Sequence, residues 1–301
     1  MARRRKGEKV DGWVVLDKPI GVGSTQAVGR VRRAFGAQKA GHGGTLDPLA
    51  SGVLPVALGE ATKTVPFVMD GRKEYRFMLR FGEARSTDDA EGEVVGISAA
   101  RPSDDAVRSV LSAFTGEIEQ LPPAFSALKV AGRRAYDLAR SGQEVVLAPR
   151  RVLVERLELV GRPDPDHAEF VVACGKGTYI RALGRDMARA LGTVGCLAAL
   201  RRTVCGPFRE DGAISLSKLE TLGHIPALFG VLAPVATALD DIPALALTGA
   251  QADRLRQGQP VLLPRDAPPS GAMVRAVHEA TLVALARSDG SAVRPVRVFN
   301  L

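Results

Sequence analysis

The chain has 301 residues, of which 46% are apolar and 25% charged, and its formal net charge is +8. This length predicts about two domains, and the basic balance predicts an acidic partner such as RNA. No apolar run approaches the ~18 residues that a membrane-spanning helix requires, and the basic start does not lead into an apolar signal segment. These features argue against a membrane partner and favour a soluble, cytoplasmic protein.

Three cysteines, Cys174, Cys196 and Cys205, are odd in number and lack the spacing of metal ligands. Buried or semi-buried free thiols in a reducing compartment are therefore expected. The four histidines add no convincing cluster, so the sequence predicts no metal site.

Positive charge is concentrated in one part of the chain. Residues 174–209 carry seven Lys or Arg against one acid, whereas residues 240–301 carry seven against six. A basic face beside a nearly neutral tail suits RNA binding, although a generic solvated surface would have the same composition.

Periodicity predicts the elements of the first half of the chain. In order, they are a strand at 13–16, a helix capped by Ser24 and ending at Gly36, a strand at 73–81, a helix opened by Ser103 and a strand at 124–129. The 73–81 strand alternates cleanly, which predicts that one of its faces is buried.

The second half continues with strands at 151–160 and 168–174 and a helix capped by Thr178 that ends at Gly192. Strands and helices interleave without a regular β-α-β repeat, so the predicted fold class is α+β. The composition changes near 233–243. Beyond it, a short helix at 248–257 and short strands at 261–263, 273–277, 282–286 and 296–299 predict a small β-barrel-like module.

The most informative run extends from Gly41 to Pro55 and reads Gly-His-Gly-Gly-Thr-Leu-Asp-Pro-Leu-Ala-Ser-Gly-Val-Leu-Pro. Its glycines permit tight turns and the close approach of a ligand, and Asp47 in such a turn can act as a nucleophile or base. Asp before Pro is also a common helix start, with Asp47 as the N-cap. The local sequence leaves both interpretations open.

Two further positions carry residue types that suit substrate binding. The run from Lys176 to Leu183 places Tyr179 and Arg181 at the start of a helix, where the guanidinium can hold a carboxylate or simply be solvated. Tyr75 lies on the inner face of the 73–81 strand, where core packing and stacking on a base are both open.

These runs closely resemble the motifs of the TruB family, the tRNA pseudouridine-55 synthases. The resemblance also includes Gly59-Glu-Ala-Thr-Lys, Pro122-Pro-Ala-Phe-Ser-Ala-Leu-Lys and Leu200-Arg-Arg-Thr, and it covers the chain from about residue 12 to its end. It implies that Asp47 is the catalytic nucleophile and that Arg181 pairs with it and keeps it ionised.

The same resemblance implies further site residues. Side chains that stack on the target base, line its pocket or fill the gap that it leaves are Tyr75, Tyr179, Leu200 and His42. Contacts to RNA are implied for Lys18, Lys129, Arg201 and Arg202. For Lys18, a structural role beside the catalytic loop is equally open.

The implied reaction converts the T-loop uridine at position 55 of tRNA into pseudouridine after the base has been flipped out of the loop. The resemblance implies neither a metal nor an organic cofactor. It implies the T-arm stem-loop of tRNA as partner, no obligatory protein partner and a monomer. The alternatives are a guide-dependent pseudouridylase of ribosomal RNA and a non-catalytic tRNA-folding chaperone, which would not need Asp47.

Composition and the resemblance together predict the domain organisation. A disordered basic arm at 1–10 precedes a pseudouridine synthase catalytic domain at 11–238, built on a mixed, largely antiparallel sheet with flanking helices. Residues 239–301 resemble a small PUA-like module that binds RNA. Because the motif residues precede the module, the catalytic body is expected to fold without it.

Overall fold

The computed structural model describes residues 7–126, 128–130, 133–134, 136, 147–222, 225–263 and 268–301. Most of the predicted basic arm, residues 1–6, lies outside them. None of the described helices combines the length and the apolar character that a membrane span requires.

Strands dominate the described residues. In chain order they are Gly12–Lys18 (β1), Ala40–His42 (β2), Ala50–Leu58 (β3), Lys73–Phe81 (β4), Glu83–Arg85 (β5), Val94–Ile97 (β6), Gly116–Gln120 (β7), Lys129–Val130 (β8), Arg133–Arg134 (β9), Arg150–Asp164 (β10), His167–Cys174 (β11), Gly195–Cys205 (β12), Phe208–Arg209 (β13), Ile214–Ser215 (β14), Leu232–Ala233 (β15), Ala244–Ala246 (β16), Val261–Leu262 (β17), Met273–His278 (β18), Thr281–Ser288 (β19) and Ala292–Val298 (β20).

The helices are short and lie between these strands. They are Ser24–Ala34 (α1), Val65–Asp70 (α2), Asp104–Val110 (α3), Ile180–Ala190 (α4), Leu216–Thr221 (α5), Ile225–Phe229 (α6) and Gly249–Arg256 (α7). Four 3-10 helices accompany them in the described residues, at Gly59–Lys63, Leu111–Phe114, Glu210–Gly212 and Val235–Leu239.

The main sheet has the strand order β14-β1-β3-β12-β4-β11-β10-β7, with β2, β13 and β15 paired alongside β3, β12 and β1. Two of its described pairs, β1 with β14 and β3 with β12, are parallel, and the others are antiparallel. The predicted α+β class and the mixed, largely antiparallel sheet are therefore confirmed.

Two buried clusters cover one face of this sheet. In the first, Leu16 of β1 packs with Val31 of α1. In the second, Phe77 of β4 packs with Leu183 of α4. Tyr75 and Leu200 pack against both clusters, so these two side chains mark the place where the two cores meet.

The sequence pattern predicts most elements but not all of them. The 73–81 strand has its predicted bounds, and the tail strands and α7 differ from their predicted bounds by a few residues. The two neighbouring central strands β3 and β12 are not predicted. The strand expected at 124–129 is wrong in its described part, because residues 124–126 form a bend and β8 begins at Lys129.

Both helix caps next to the informative motifs are also wrong, because their hydroxyls bind elsewhere. The Ser24 hydroxyl donates to the Leu46 carbonyl and accepts from the Leu46 amide, at 2.8 Å each. The Thr178 hydroxyl donates to the Gly175 carbonyl at 3.1 Å. Ser24 therefore ties α1 to the loop that carries Asp47.

The tail forms a separate five-stranded sheet in the order β16-β18-β19-β20-β17, with α7 packed against it. Thr248 and Gln251 form a capping box that starts α7. The predicted β-module is thus present, while the domain boundary at 238 remains a prediction.

An apolar cluster joins the tail to the body. Phe299, 2% exposed, and Leu285 of β19 belong to the same buried cluster as Trp13 of β1 and Leu239. A truncation near residue 239 would remove Leu282, Leu285 and Phe299 from this cluster and expose to water the side chains that they cover. The shared core predicts that the body without the tail is less stable than the full chain, and the folding of the body alone stays a prediction.

Polar contacts from the Gly59-Glu-Ala-Thr-Lys run strengthen the same junction. The Lys63 ammonium donates to the Val298 carbonyl at 2.8 Å, and Glu60 accepts from the Asn300 amide at 2.8 Å. This run therefore fastens the end of the chain to the body.

Replacing Phe299 by Ala is expected to lower the free energy of unfolding by about 3–5 kcal/mol, because it removes a buried aromatic side chain and leaves a cavity. Urea unfolding measures the change. Leu262→Ala, at an exposed position of the same tail sheet, is the control and should change it by less than about 0.5 kcal/mol. Equal effects of the two variants would contradict a shared core.

Candidate active site

A cleft of about 280 Å³ opens where the two cores meet. Its walls come from the loop after β2, from β4 and β12, and from the start of α4. The predicted site residues that line it are Asp47, Tyr75, Tyr179, Arg181, Leu200 and Arg202. Strands and loops far apart in sequence thus place these side chains around one cavity.

The loop from Gly43 to Ala50 presents Asp47 in a turn. The Ala50 amide donates to the Asp47 carbonyl at 3.1 Å, and no helix follows, so the helix-cap interpretation is wrong. A Cβ on Gly43 would lie 2.5 Å from Val68, and Gly44 has a φ of +136°. Both positions therefore require glycine to give this loop its path.

Asp47 forms an ion pair with Arg181. The distance from its carboxylate to a guanidinium nitrogen is 2.8 Å, and the side chains are 39% and 7% exposed. The pairing expected from the sequence is present. The carboxylate stays open to the cleft while its cationic partner is buried.

Arg181 is held by a second carboxylate and by two carbonyls. Asp89, 7% exposed, lies 3.5 Å from the Arg181 Nε, and the carbonyls of Thr87 and Phe125 each accept from its terminal nitrogens at 2.9 Å. Sequence reasoning missed Asp89, because nothing in Thr-Asp-Asp marks a buried acid. These contacts fix the guanidinium before any ligand binds.

The two tyrosines form walls of the cleft. Burial raises the pKa of Tyr75 to about 12, and burial likewise raises the pKa of Tyr179. Both phenols are therefore neutral near pH 7. Gln120, which the sequence did not suggest, exchanges two hydrogen bonds with the backbone of Tyr179, at 2.8 and 3.0 Å, and fixes its position.

His42 ends β2 and does not belong to the residues that line the cleft. Its Nδ1 accepts from the Gly44 amide at 3.3 Å. Burial lowers the pKa of His42, and the positive charge of Arg202 lowers it further, so the ring is neutral near pH 7. Its expected role in filling the gap left by a flipped nucleotide stays a prediction.

The residues predicted to contact RNA lie in different environments. Lys18 is fully buried and Arg202 is 1% exposed, so neither lies on the outer surface, and their contacts to RNA stay predictions. Arg201 is bound to Asp17 at 3.0 Å and to Glu210 at 2.9 Å, which leaves its charge neutralised. The side chain of Lys129 lies outside the described residues.

Lys18 supports the loop that carries Asp47. Its ammonium donates to the carbonyls of Val22 at 2.7 Å, Pro19 at 2.9 Å and Pro48 at 3.4 Å. Burial lowers the pKa of Lys18 from its ordinary 10.5 to about 8. The neutral amine has two N–H groups for three acceptors, so deprotonation weakens the support of the loop.

Activity is therefore expected to fall as the pH rises through about 8, and kcat/KM measured from pH 6 to 10 checks this. Lys18→Arg, whose charge persists, should shift the decline to higher pH. The pKa of Lys18 is lower in the folded state than in the unfolded chain, so the unfolded chain binds more protons between pH 8 and 10.5. Lys18 therefore makes the free energy of unfolding rise with increasing pH over that window. A wild-type kcat/KM that stays constant up to pH 9.5 would contradict the role of Lys18 in supporting the loop.

The three cysteines are free and buried, as predicted. Burial raises the pKa of Cys174 and of Cys196 to about 11, so neither is a thiolate near neutral pH. Within the described residues, no group of three or more His, Cys, Asp or Glu side chains is arranged to hold a metal ion.

Three models of known protein families together match most of the chain. The N-terminal domain model of the TruB family of pseudouridylate synthases matches residues 32–180. The tRNA pseudouridylate synthase B C-terminal domain matches 181–240, and the C-terminal model of pseudouridine synthase II TruB matches 243–299.

Similar proteins extend over the whole chain. The tRNA pseudouridine synthase B of Bradyrhizobium diazoefficiens is 57% identical, over 99% of this chain and 88% of the relative. That of Caulobacter vibrioides is 54% identical over the full length of both.

The crystal structure of a Cbf5–Nop10–Gar1 complex is a structural neighbour, with a TM-score of 0.74 and 28% identity over 96% of this chain and 85% of that chain. An H/ACA RNP bound to a substrate RNA containing 2′-deoxyuridine has a TM-score of 0.73 and 25% identity over 100% and 92%. Together with the family models and the relatives above, these matches show that the chain belongs to the TruB family of pseudouridine synthases.

Proposed function

We propose that the chain converts the T-loop uridine at position 55 of tRNA into pseudouridine, with Asp47 as the nucleophile. Family membership makes the chain an enzyme, a tRNA pseudouridine synthase. The position of the uridine and the roles of the residues belong to the proposal. The cytoplasmic location, the monomeric state and the independence from protein partners belong to it as well.

The ion pair of Asp47 with Arg181 is the observation that carries the proposal. A carboxylate open to a cleft and oriented by a buried guanidinium at 2.8 Å is placed to attack a bound ligand. A charge-assisted hydrogen bond of this kind restricts the carboxylate to few orientations. That restriction favours attack on one atom of the substrate.

The reaction balances without outside reagents. The N1–C1′ bond of uridine breaks, a C5–C1′ bond forms, C5 loses a proton and N1 gains one. Asp47 attacks either C1′ of the ribose or C6 of the uracil, and both routes use the same carboxylate and cleft. Its covalent bond is broken again before the product leaves, so the enzyme is regenerated.

The uracil must leave the T-loop stack to reach Asp47, at a cost of a few kcal/mol. Tyr75 and Leu200 line the cleft and offer an aromatic and an aliphatic surface in place of the lost neighbours. Phosphate contacts from the basic body would offset the rest of the cost and recognise the folded T-arm by its shape.

Tyr75 suits stacking and hydrogen-bond donation better than proton abstraction. With a pKa of about 12, its phenol stays protonated near pH 7 and is a poor general base. We therefore do not assign removal of the C5 proton to Tyr75.

One structural neighbour is an H/ACA RNP bound to a substrate RNA, so the guide-dependent reaction on another RNA is kept as the alternative. The relatives with 54–57% identity are instead named tRNA pseudouridine synthase B, which favours tRNA as the substrate. The chaperone alternative does not account for the oriented carboxylate in the cleft.

The test uses the purified chain alone, dialysed against a strong chelator, with an unmodified T-arm hairpin. We expect full conversion of one T-loop uridine, because the proposed chemistry uses a carboxylate and no Lewis acid. A requirement for guide RNA and partner proteins would favour the guide-dependent alternative. Restoration of lost activity by Zn²⁺ would contradict the proposed chemistry.

A further inference from the structure

The Leu200-Arg-Arg-Thr run places two adjacent arginines in β12 with different surroundings. Arg201 is partly exposed and paired with two carboxylates, whereas Arg202 is 1% exposed and lines the cleft. Among the described residues, no carboxylate lies within 4.0 Å of the Arg202 guanidinium. A buried cation without an anionic partner is costly, so its neighbours call for an explanation.

Backbone carbonyls surround this guanidinium. Its Nε donates to the Val53 carbonyl at 2.8 Å, and its terminal nitrogens donate to the carbonyls of Gly44 at 3.0 Å and Thr45 at 3.4 Å. Gly44 and Thr45 belong to the loop that carries Asp47, and Val53 lies in β3 just beyond it. One side chain therefore holds both ends of the catalytic loop.

The backbone of the loop is shaped around Arg202. Gly44 has a φ of +136°, a conformation that other residues rarely adopt, and it turns the carbonyl toward the guanidinium. At Gly52, with a φ of +99°, a Cβ would lie 2.2 Å from the Arg202 carbonyl oxygen. These glycines allow β3 and the loop to approach β12 closely.

Arg202 also reaches the tyrosine wall of the cleft. It is the register partner of Tyr75 across β12 and β4. Its positive charge partly offsets the effect of burial, which raises the pKa of Tyr75. The same side chain thus contacts the loop of the proposed nucleophile and faces the aromatic surface of the base pocket.

We propose that Arg202 is a positioning residue of the reaction, which sets the loop of Asp47 relative to Tyr75 and does not bind RNA. This inference rests on the proposed function, because it assigns to Arg202 the geometry of the proposed nucleophile. It links the Gly41–Pro55 and Leu200–Thr203 runs, about 150 residues apart, through one buried cation.

Single-turnover kinetics on a T-arm hairpin separate positioning from binding and from folding. Arg202→Lys keeps a charge but cannot span three carbonyls, and it should lower the rate constant roughly 100-fold, since a misplacement of about 1 Å costs that much. The dissociation constant for the hairpin should stay within about threefold. Partial unfolding alone would lower the reacting fraction of enzyme and leave the rate constant unchanged.

Gly44→Ala perturbs the same contact from the loop side and should reproduce the loss of rate, even if Arg202→Lys folds poorly. The controls are Arg76→Gln, an exposed arginine of the neighbouring strand paired with Glu169, and Gly212→Ala in open space. Both should keep the wild-type rate constant.

The inference is overturned if Arg202→Lys weakens hairpin binding tenfold at an unchanged rate constant, since Arg202 would then be an RNA contact. It is also overturned if both variants keep the wild-type rate constant. Asp47→Asn is measured alongside. Turnover by that variant refutes the proposed nucleophile, whereas a slow Arg202→Lys with inactive Asp47→Asn supports both proposals.

Discussion

Replacing Asp47 by Asn is expected to abolish pseudouridine formation while tRNA affinity stays within about tenfold, or roughly 1.4 kcal/mol. The amide is nearly isosteric but cannot form the covalent bond that the proposed mechanism requires. Binding should persist because phosphate contacts of the basic surface supply most of the affinity. Single-turnover assays and filter binding on the same tRNA transcript measure the two quantities.

A matched control for this variant is Asp70→Asn. Asp70 is an exposed carboxylate at the end of α2, bound to Lys176, which follows β11. Because Asp70 does not line the cleft, its variant should keep wild-type activity. Substantial turnover by Asp47→Asn, or equal losses in the two variants, would refute Asp47 as the nucleophile.

Replacing Arg181 by Met is expected to impair both catalysis and stability. The variant leaves Asp89 buried without a cation and Asp47 without its orienting partner. Removing one partner of a buried ion pair costs about 3–5 kcal/mol of folding free energy. Loss of a preorganised group in the site should lower the rate by roughly 10²–10³.

Two comparisons separate these effects of Arg181→Met. Arg189→Met, on the exposed face of the same helix, should change stability by less than about 0.5 kcal/mol. The double variant Arg181→Met/Asp89→Asn removes the orphaned charge and should recover part of the stability, but not the rate. Urea unfolding and single-turnover kinetics measure both quantities, and an Arg181→Met variant with wild-type values would contradict the network.

The sequence predicts strands and helices well where one face is buried and the other is exposed to solvent. β4 alternates apolar and polar residues, and its bounds are predicted correctly. β3 is almost wholly buried on both faces and contains Gly52 and Pro55, so its pattern shows no alternation. β12 is missed because the consecutive arginines Arg201 and Arg202 interrupt its apolar pattern.

The site residues that belong to sequence motifs could be predicted, but the residues that hold them in place could not. Asp47 and Arg181 come together as the family resemblance implies. The resemblance implied RNA contacts for Lys18 and Arg202, with a structural role also open for Lys18, and both are buried although charged residues rarely are. Their carbonyl partners belong to the backbone, which carries no residue-type signal. Asp89 reaches Arg181 from a loop between β5 and β6, and the sequence of this loop contains no motif.

The most direct test of the proposed reaction is to map pseudouridine along a full-length, unmodified tRNA transcript after incubation with the purified chain. Chemical labelling of pseudouridine followed by primer extension gives the position. We predict modification at position 55 alone with the wild-type chain, and none with Asp47→Asn. Modification at another position, or at position 55 by the Asp47→Asn variant, would contradict the proposal.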